Sequence, residues 1–298
     1  MSGGFLEEMT RGSLARVARA RKVVSESELL ARAECTSPPP PLALQGEGFD
    51  LIAELKLRSP AAGQLGSADE DLLARVRSYA RAGVAAVSVL TEPTRFDGSL
   101  EHLQAVTAAL EPLRVPAMRK DFIVDPYQVL EARAAGAGGV LVILRMLSAA
   151  QLDAVIQCAR QAGLFVLLEA FDAADIERAH DAARAWRGSG TGAARGPLLV
   201  GVNCRDLDTL EVVPARLEQL APLLPSGVLR VAESGVGSAL DAARVALAHY
   251  ELALVGSALM SCEDPARLAA EMLAAGRQAL LKGHAPRPTL GASRDRGA

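Results

Sequence analysis

Aromatic side chains are scarce in this chain of 298 residues: 3%, with one Trp, three Tyr and six Phe. A surface that stacks bases on exposed rings is therefore not expected. An excess of either charge is missing too. Thirty-two Lys and Arg face 35 Asp and Glu, a formal net charge of −3, so no electrostatic case exists for a nucleic-acid or membrane partner. Cysteine is sparse. Cys35, Cys158, Cys204 and Cys262 lie far apart, with no C-x-x-C and no Cys/His metal spacing. They read as reduced thiols, and a cytoplasmic location is expected. The opening MSGGFLEEMTRGSLARVARARK has no apolar core segment, so no signal peptide is expected. The longest apolar stretches, near GAGGVLVIL, are too short to span a bilayer.

Apolar residues make up 50% of the chain, enough for a large core. The length allows two domains, or one α/β barrel of about 250 residues. Residues 5–33 show helical periodicity, which TSPPPPLALQGEG then breaks, since four consecutive prolines favour an extended linker. Eight short runs follow: DLIAEL, AAVSVL, VPAMRK, GVLVIL, LFVLLE, PLLVGV, VLRVAE and LALVGS. They are rich in Val, Leu and Ile, as strands buried on both faces are. A helical pattern follows each; SAAQLDAVIQCARQAG ends at the stop signal Gly163. Strand alternating with helix means parallel β-structure. No Rossmann glycine fingerprint follows the first run, and eight units favour a closed (β/α)8 barrel. The expected domains are a helical extension with a Pro-rich linker over 1–48, a barrel over 49–280, and a disordered tail over 281–298.

Active sites of such barrels lie at the C-terminal strand ends. The first run ends in Glu54 and Lys56, which share a face, with Ser59 beyond them. Alone, that pair could be an ordinary ion pair on a wet edge. The third run, however, ends in Lys120 and Asp121, and the fifth in Glu169. The sixth leads into Asn203 and Arg205, the seventh ends in Glu233-Ser234-Gly235, and the eighth in Gly256-Ser257. Independent surface pairs would not choose the same end of six units. The small turns after runs seven and eight suit a phosphate, whose charge backbone N–H groups and helix N-termini favour, although Gly and Ser also simply make tight turns. His102, His180, His249 and His284 fall in helices or the tail and end no strand. Acid–base work is left to Lys and Glu, whose pKa values are expected to be pushed toward neutrality by burial and neighbours.

The stretches IAELKLRSP, AAVSVLTEPTRFDGSLEHL, RKDFIVDPYQVLEARAAGA, LLEAFD, VGVNCRDL, VAESGV and LVGSALM resemble the indole-3-glycerol phosphate synthase family, in the family's order. The N-terminal helical segment resembles the extra helix that lies over the barrel mouth in that family. The resemblance implies closure of a pyrrole ring on a carboxyphenylamino deoxyribulose phosphate, with loss of carbon dioxide and water. It implies Lys120 as the general acid on the substrate carbonyl and Glu169 as a partner acid or base. Lys56 would hold the substrate carboxylate and serve the dehydration, and Glu54 would be a base near the anilino nitrogen. Ser59, Ser234, Gly235, Gly256 and Ser257 would hold phosphate or substrate. Asn203, Arg205 and Glu233 would line the pocket, and Phe96 and Phe122 would flank the aromatic ring. Neither metal nor organic cofactor is implied. The expected partners are a small phosphorylated anthranilate-derived substrate and, in association, other tryptophan-pathway enzymes.

The chain departs from the family pattern in places. Leu57 stands where a basic residue is common, AWRGSGTGAARGP is a longer link than usual, and AHYELALVG lacks the glycine-rich turn before the last strand. Rival readings stay open: another phosphate-binding barrel such as a phosphoribosylanthranilate isomerase, a Schiff-base aldolase, a partner-binding barrel without activity, or the same closure on a modified anthranilate.

Overall fold

The computed structural model describes residues 4–44, 48–60, 63–65, 71–188, 196–207 and 209–283. Eight parallel strands close into a barrel. They are β1 (Asp50–Leu55), β2 (Ala86–Leu90), β3 (Ala117–Lys120), β4 (Gly139–Ile143), β5 (Phe165–Ala170), β6 (Leu198–Asn203), β7 (Leu229–Glu233) and β8 (Leu252–Val255). Each pairs with its sequence neighbours, and β1 closes the ring against β8 and β2. The expected (β/α)8 architecture is therefore the observed one, with every strand on an expected run. A two-residue hairpin, Arg58–Ser59 against Gly63–Gln64, follows β1 and was not foreseen.

Alternation within the strands builds two cores. Ile52, Met118, Leu141, Leu167, Leu199, Val231 and Leu252 point inward and fill the barrel. Leu51, Ala53, Val87, Val140, Val166, Val200 and Ala253 belong to the larger core that includes the outer helices. That is why the strands read as continuous apolar runs: both faces are buried. The helices outside the barrel, after the two of the N-terminal segment, are α3 (Leu72–Arg81), α4 (Pro93–Phe96), α5 (Leu100–Leu110), α6 (Pro126–Ala134), α7 (Ala149–Gln161), α8 (Ala173–Gly188), α9 (Ala215–Leu220), α10 (Ala239–Leu247), α11 (Ser257–Ser261) and α12 (Pro265–Gly283). Helix α7 starts with a capping box, Ser148 and Gln151, and ends before Gly163 at φ +74°.

The N-terminal segment departs from a single helical stretch. Its first helix, α1, spans Phe5–Val23, and a second, α2, spans Glu26–Cys35. Ser25 breaks the run because its hydroxyl accepts the Glu28 N–H at 3.2 Å and caps the second helix. In the first helix Met9, Ser13 and Val17 recur at helical spacing and are buried. Met9 sits among Phe122, Ile143 and Phe171 at the mouth. The Pro-rich linker then passes beside the start of β4, where a Cβ on Gly138 would lie 3.4 Å from the Pro40 carbonyl oxygen. His249 corrects its expected place: it follows α10 in a left-handed turn, φ +66°, where a glycine is usual. The centre of the long 185–197 link and the tail beyond 283 lie outside the described residues.

Candidate active site

A cavity of about 350 Å³ opens at the C-terminal strand ends. All fourteen candidate residues line it: Glu54, Lys56, Ser59, Phe96, Lys120, Phe122, Glu169, Asn203, Arg205, Glu233, Ser234, Gly235, Gly256 and Ser257. None of the described histidines does.

Lys120 ends β3 and points inward. Its Nζ is 3.4 Å from Glu233 Oε2 and 3.7 Å from Glu54 Oε2. Lys56 Nζ lies 2.9 Å from Glu54 Oε1. Asn203 donates to Glu169 Oε1 at 2.5 Å, while its own oxygen accepts the Arg205 N–H at 2.9 Å. Arg205 in turn donates to the Leu210 carbonyl at 2.9 Å and holds the loop after β6 against the mouth. The side chains of Glu54 and Glu233 are almost wholly buried, so these charges act on one another with little screening.

The charges settle differently from expectation. Burial works against the Lys120 ammonium, but Glu169, Glu233 and Glu54 together outweigh it and raise its pKa. Lys120 is not drawn toward neutrality. The shift toward neutrality falls on Glu233. Burial, then Glu169, push its carboxyl up to about 8 despite Lys120. Glu233 Oε1 is buried without a hydrogen-bond partner, as suits a carboxyl that keeps a proton. Glu54 goes the other way: burial opposes its charge, yet Lys56 and Lys120 hold it below the ordinary range.

Two glycines make this packing possible. A Cβ on Gly201 of β6 would fall 2.1 Å from Glu233 Oε1. One on Gly256 would fall 2.4 Å from Glu54 Oε1 and 3.2 Å from Lys56 Nζ. Beside Gly256, past the end of the neighbouring β7, Ser234 and Gly235 both take left-handed backbone, φ +65° and +69°. A Cβ on Gly235 would lie 2.9 Å from Cys204 Sγ. Gly256 leads directly into α11 and no side chain caps that helix, whereas Ser238 caps α10. Small residues thus leave backbone open on the β7–β8 side, a suitable berth for an anionic group.

The apolar side was only partly legible. Phe122 lies 6.2 Å from Phe96 and 5.8 Å from Phe5, centroid to centroid. Phe5 was not anticipated, nor were Leu90, Leu141, Ile143, Phe171 and Leu254. Leu254 could have been found by counting back two positions from Gly256, whereas Leu141 and Ile143 lie on β4, which ends in no candidate residue, and Phe171 follows the end of β5. Phe5 comes from the first helix and carries no such signal. Leu57, at the position of a usual basic residue, uses its carbonyl to accept the Leu65 N–H at 2.8 Å, and the neighbouring Arg58 is exposed. Among the described residues no helix is long and apolar enough to cross a membrane.

The barrel also occurs in distant solved structures. 3-Hexulose-6-phosphate synthase from Salmonella typhimurium aligns over 79% of this chain and all of its own, TM-score 0.54, at 17% identity. Thiamine phosphate pyrophosphorylase from Pyrococcus furiosus aligns over 78% of this chain and 98% of its own, TM-score 0.53, at 14% identity. At such identities only the fold is shared. Fold and mouth together define a (β/α)8 barrel that gathers lysines and glutamates at the end where active sites of this fold lie. A family model for indole-3-glycerol phosphate synthase matches residues 6–272. Proteins of that name from a Parafrankia species and from Mycolicibacterium smegmatis are 41% and 38% identical to this chain. The alignments cover 91% and 92% of it, and 96% of each relative. Indole-3-glycerol phosphate synthase 1 of Streptomyces coelicolor is 38% identical over 93% of this chain and 97% of its own. The chain belongs to the indole-3-glycerol phosphate synthase family.

Proposed function

We propose that four side chains at this mouth, Lys120, Glu169, Glu54 and Lys56, divide the work of the family's reaction. That reaction converts 1-(2-carboxyphenylamino)-1-deoxyribulose 5-phosphate to indole-3-glycerol phosphate, with ring closure, decarboxylation and dehydration, in tryptophan biosynthesis. It makes the chain a carboxy-lyase. The substrate's ring carbon is electron-rich, so the barrier lies in activating the carbonyl and steadying the charge that develops.

The observation that carries the assignment is the position of Lys120. It holds a proton among three carboxyls, 3.4 Å from Glu233 and 3.7 Å from Glu54. An ammonium fixed there gives the proton to the carbonyl as the ring closes. Glu169, held by Asn203, is the partner acid or base. Lys56 faces the substrate carboxylate and assists dehydration, and Glu54, paired to it, takes the anilino proton. The turns Ser234-Gly235 and Gly256-Ser257, with Ser59, hold the phosphate. Arg205 and Glu233 complete the polar wall, and Phe96 and Phe122 flank the aromatic ring.

A Schiff-base aldolase needs a neutral lysine as nucleophile. The carboxyls around Lys120 favour its charged form, which speaks against that reading. The reading also puts the enzyme in the cytoplasm, in association with other enzymes of the pathway; cell fractionation and co-purification test both. The main experiment is formation of the indole chromophore from the synthetic substrate, beside borohydride treatment. Product without trapped lysine is expected. Trapped lysine, or no product from folded protein, overturns the assignment.

A further inference from the structure

The first helix reaches the barrel through one arginine. Arg16 Nη2 donates to Asp121 Oδ1 at 2.7 Å and to Ser13 Oγ at 2.8 Å, and Nη1 donates to Glu92 Oε1 at 3.2 Å. Both carboxylates are buried to the last per cent or so, at 0% and 1% side-chain exposure, while Arg16 keeps 21%. They stand just past the ends of two neighbouring strands, Glu92 after β2 and Asp121 after β3.

Each carboxylate organises part of the mouth. Asp121 follows Lys120 directly. Its Oδ1 also accepts the Phe122 N–H at 2.8 Å, and its Oδ2 accepts from Thr91 Oγ1 at 2.8 Å and from Arg119 Nη2 at 3.0 Å. Glu92 caps α4, accepting the N–H groups of Thr94 and Arg95 at 3.0 and 2.7 Å, and α4 carries Phe96. Asp121 has a second cation in Arg119; among the described contacts Glu92 has Arg16 alone. Two buried anions on adjacent strand ends repel unless a cation lies between them. A guanidinium can serve both at once because its planar fork presents several fixed donors, which a lysine ammonium cannot match. Among the described contacts the barrel supplies Arg119 to Asp121 but no cation that reaches both carboxylates. The helix laid over the mouth supplies that cation.

We infer that Arg16 is a positioning residue: it completes the β2–β3 corner and couples docking of the first helix to the placement of Lys120, Phe122 and Phe96. The inference rests on the proposed role of Lys120. Arg16 itself does not line the cavity. It acts through Asp121 and Glu92.

The test compares Arg16→Gln, Arg16→Lys, Asp121→Asn, the Arg16→Gln/Asp121→Asn double variant and Arg21→Gln, each checked for folding by circular dichroism. Arg21 is the control, since it ties the same helix to Asp125 at 2.8 and 3.0 Å away from the cavity. The expected result is a fall in kcat/KM of at least tenfold for Arg16→Gln, shared between kcat and KM. The double variant loses no more than the worse single one, and Arg16→Lys recovers only part of the loss. Arg21→Gln stays within twofold of wild type. Arg16→Gln within twofold of wild type overturns the inference. Full rescue by lysine overturns the bridging of two carboxylates, and an equal loss in Arg21→Gln means that any tether of the helix suffices. Should Arg16→Gln not fold, the Arg16→Lys/Asp121→Asn double variant beside its two single variants decides, since independent losses multiply and a shared one does not. Lys120→Ala assayed in parallel separates the two readings. If it retains ring closure, the role of Lys120 falls, whereas coupling between Arg16 and Asp121 is read from the wild-type lysine background.

Discussion

Gly256→Ala adds one methyl group at the mouth and nothing else. The backbone there is at φ −116°, so alanine brings no left-handed strain. Space is the difficulty. The new Cβ would stand 2.4 Å from Glu54 Oε1, and contact becomes ordinary only beyond 3.4 Å. The carboxylate must therefore retreat by about 1 Å. It cannot do so freely, because Lys56 holds Oε1 at 2.9 Å and Lys120 lies 3.7 Å from Oε2. A misplacement of about 1 Å costs on the order of 10² in rate, or about 2.7 kcal/mol of barrier. The fall should appear mainly in kcat, with a smaller rise in KM from crowding of the proposed phosphate berth. Steady-state kinetics with the synthetic substrate, beside thermal melts, measure both. Gly12→Ala is the control. It lies in the first helix, and its Cβ meets nothing nearer than 3.9 Å. It should keep activity within twofold and gain up to about 1 kcal/mol of stability. A folded Gly256→Ala enzyme with kcat within threefold of wild type would refute the claim that the missing side chain positions Glu54.

Three further outcomes follow from the same geometry. Lys120→Ala should lose about 10²–10⁴ in kcat, as for a missing general acid; near wild-type single-turnover ring closure in the folded variant would move that role to Lys56. Its stability cost should stay below the ~3–5 kcal/mol of breaking a charged buried pair, since Glu233, with its pKa near 8, is already mostly protonated at pH 7. Gly235→Asp should raise KM strongly, because the side chain enters a left-handed position 2.9 Å from Cys204 Sγ and sets a negative charge at the berth proposed for the phosphate; an unchanged KM sinks the phosphate assignment. Glu233→Gln should change the pH profile of stability. A carboxyl raised from 4.5 to about 8 stabilises the fold fully below 4.5 and loses that contribution as pH rises through 8, so the variant should gain on wild type across this window, and parallel melting curves from pH 4 to 9 would count against it.

Much of the barrel was legible because strands buried on both faces leave short unbroken apolar runs, and all eight fell where expected. The polar mouth was legible for a related reason. Glu54, Lys120, Glu169 and Glu233 each stand at the end of such a run, where an apolar residue would otherwise continue the pattern. Phe5 was not legible, because its place beside Phe122 depends on how a helix outside the barrel docks. The second helix was missed although Ser25 and Glu28 have capping spacing, since the mixed charges of residues 5–33 hide a two-residue break at Val24 and Ser25. The roles of Gly201 and Gly256 were hidden as well. Each makes room for a carboxyl from a different strand, and the distance in sequence between Gly256 and Glu54 gives no hint of the contact.

The direction of the lysine shift was the least legible feature, and the reason is physical. Burial alone argues that a lysine at the end of an apolar strand should lose its proton. The opposite occurs because Lys120 meets Glu233, 113 residues further along the chain, together with Glu54 and Glu169. Two lysines and three carboxyls carry one excess negative charge, and a proton kept on Glu233 cancels it. The cluster is then neutral while Lys120 stays charged. Removing any one member changes the balance for the others: without Lys120, Glu233 holds its proton more tightly, and without Glu233, Lys120 loses one of the three carboxyls that raise its pKa. Proton affinities at this mouth therefore belong to the group as a whole. A loss of rate in a single variant measures how the remaining charges rearrange as well as what the missing side chain did. The roles of Lys120 and Glu233 separate only when both single variants and the double variant are followed across pH.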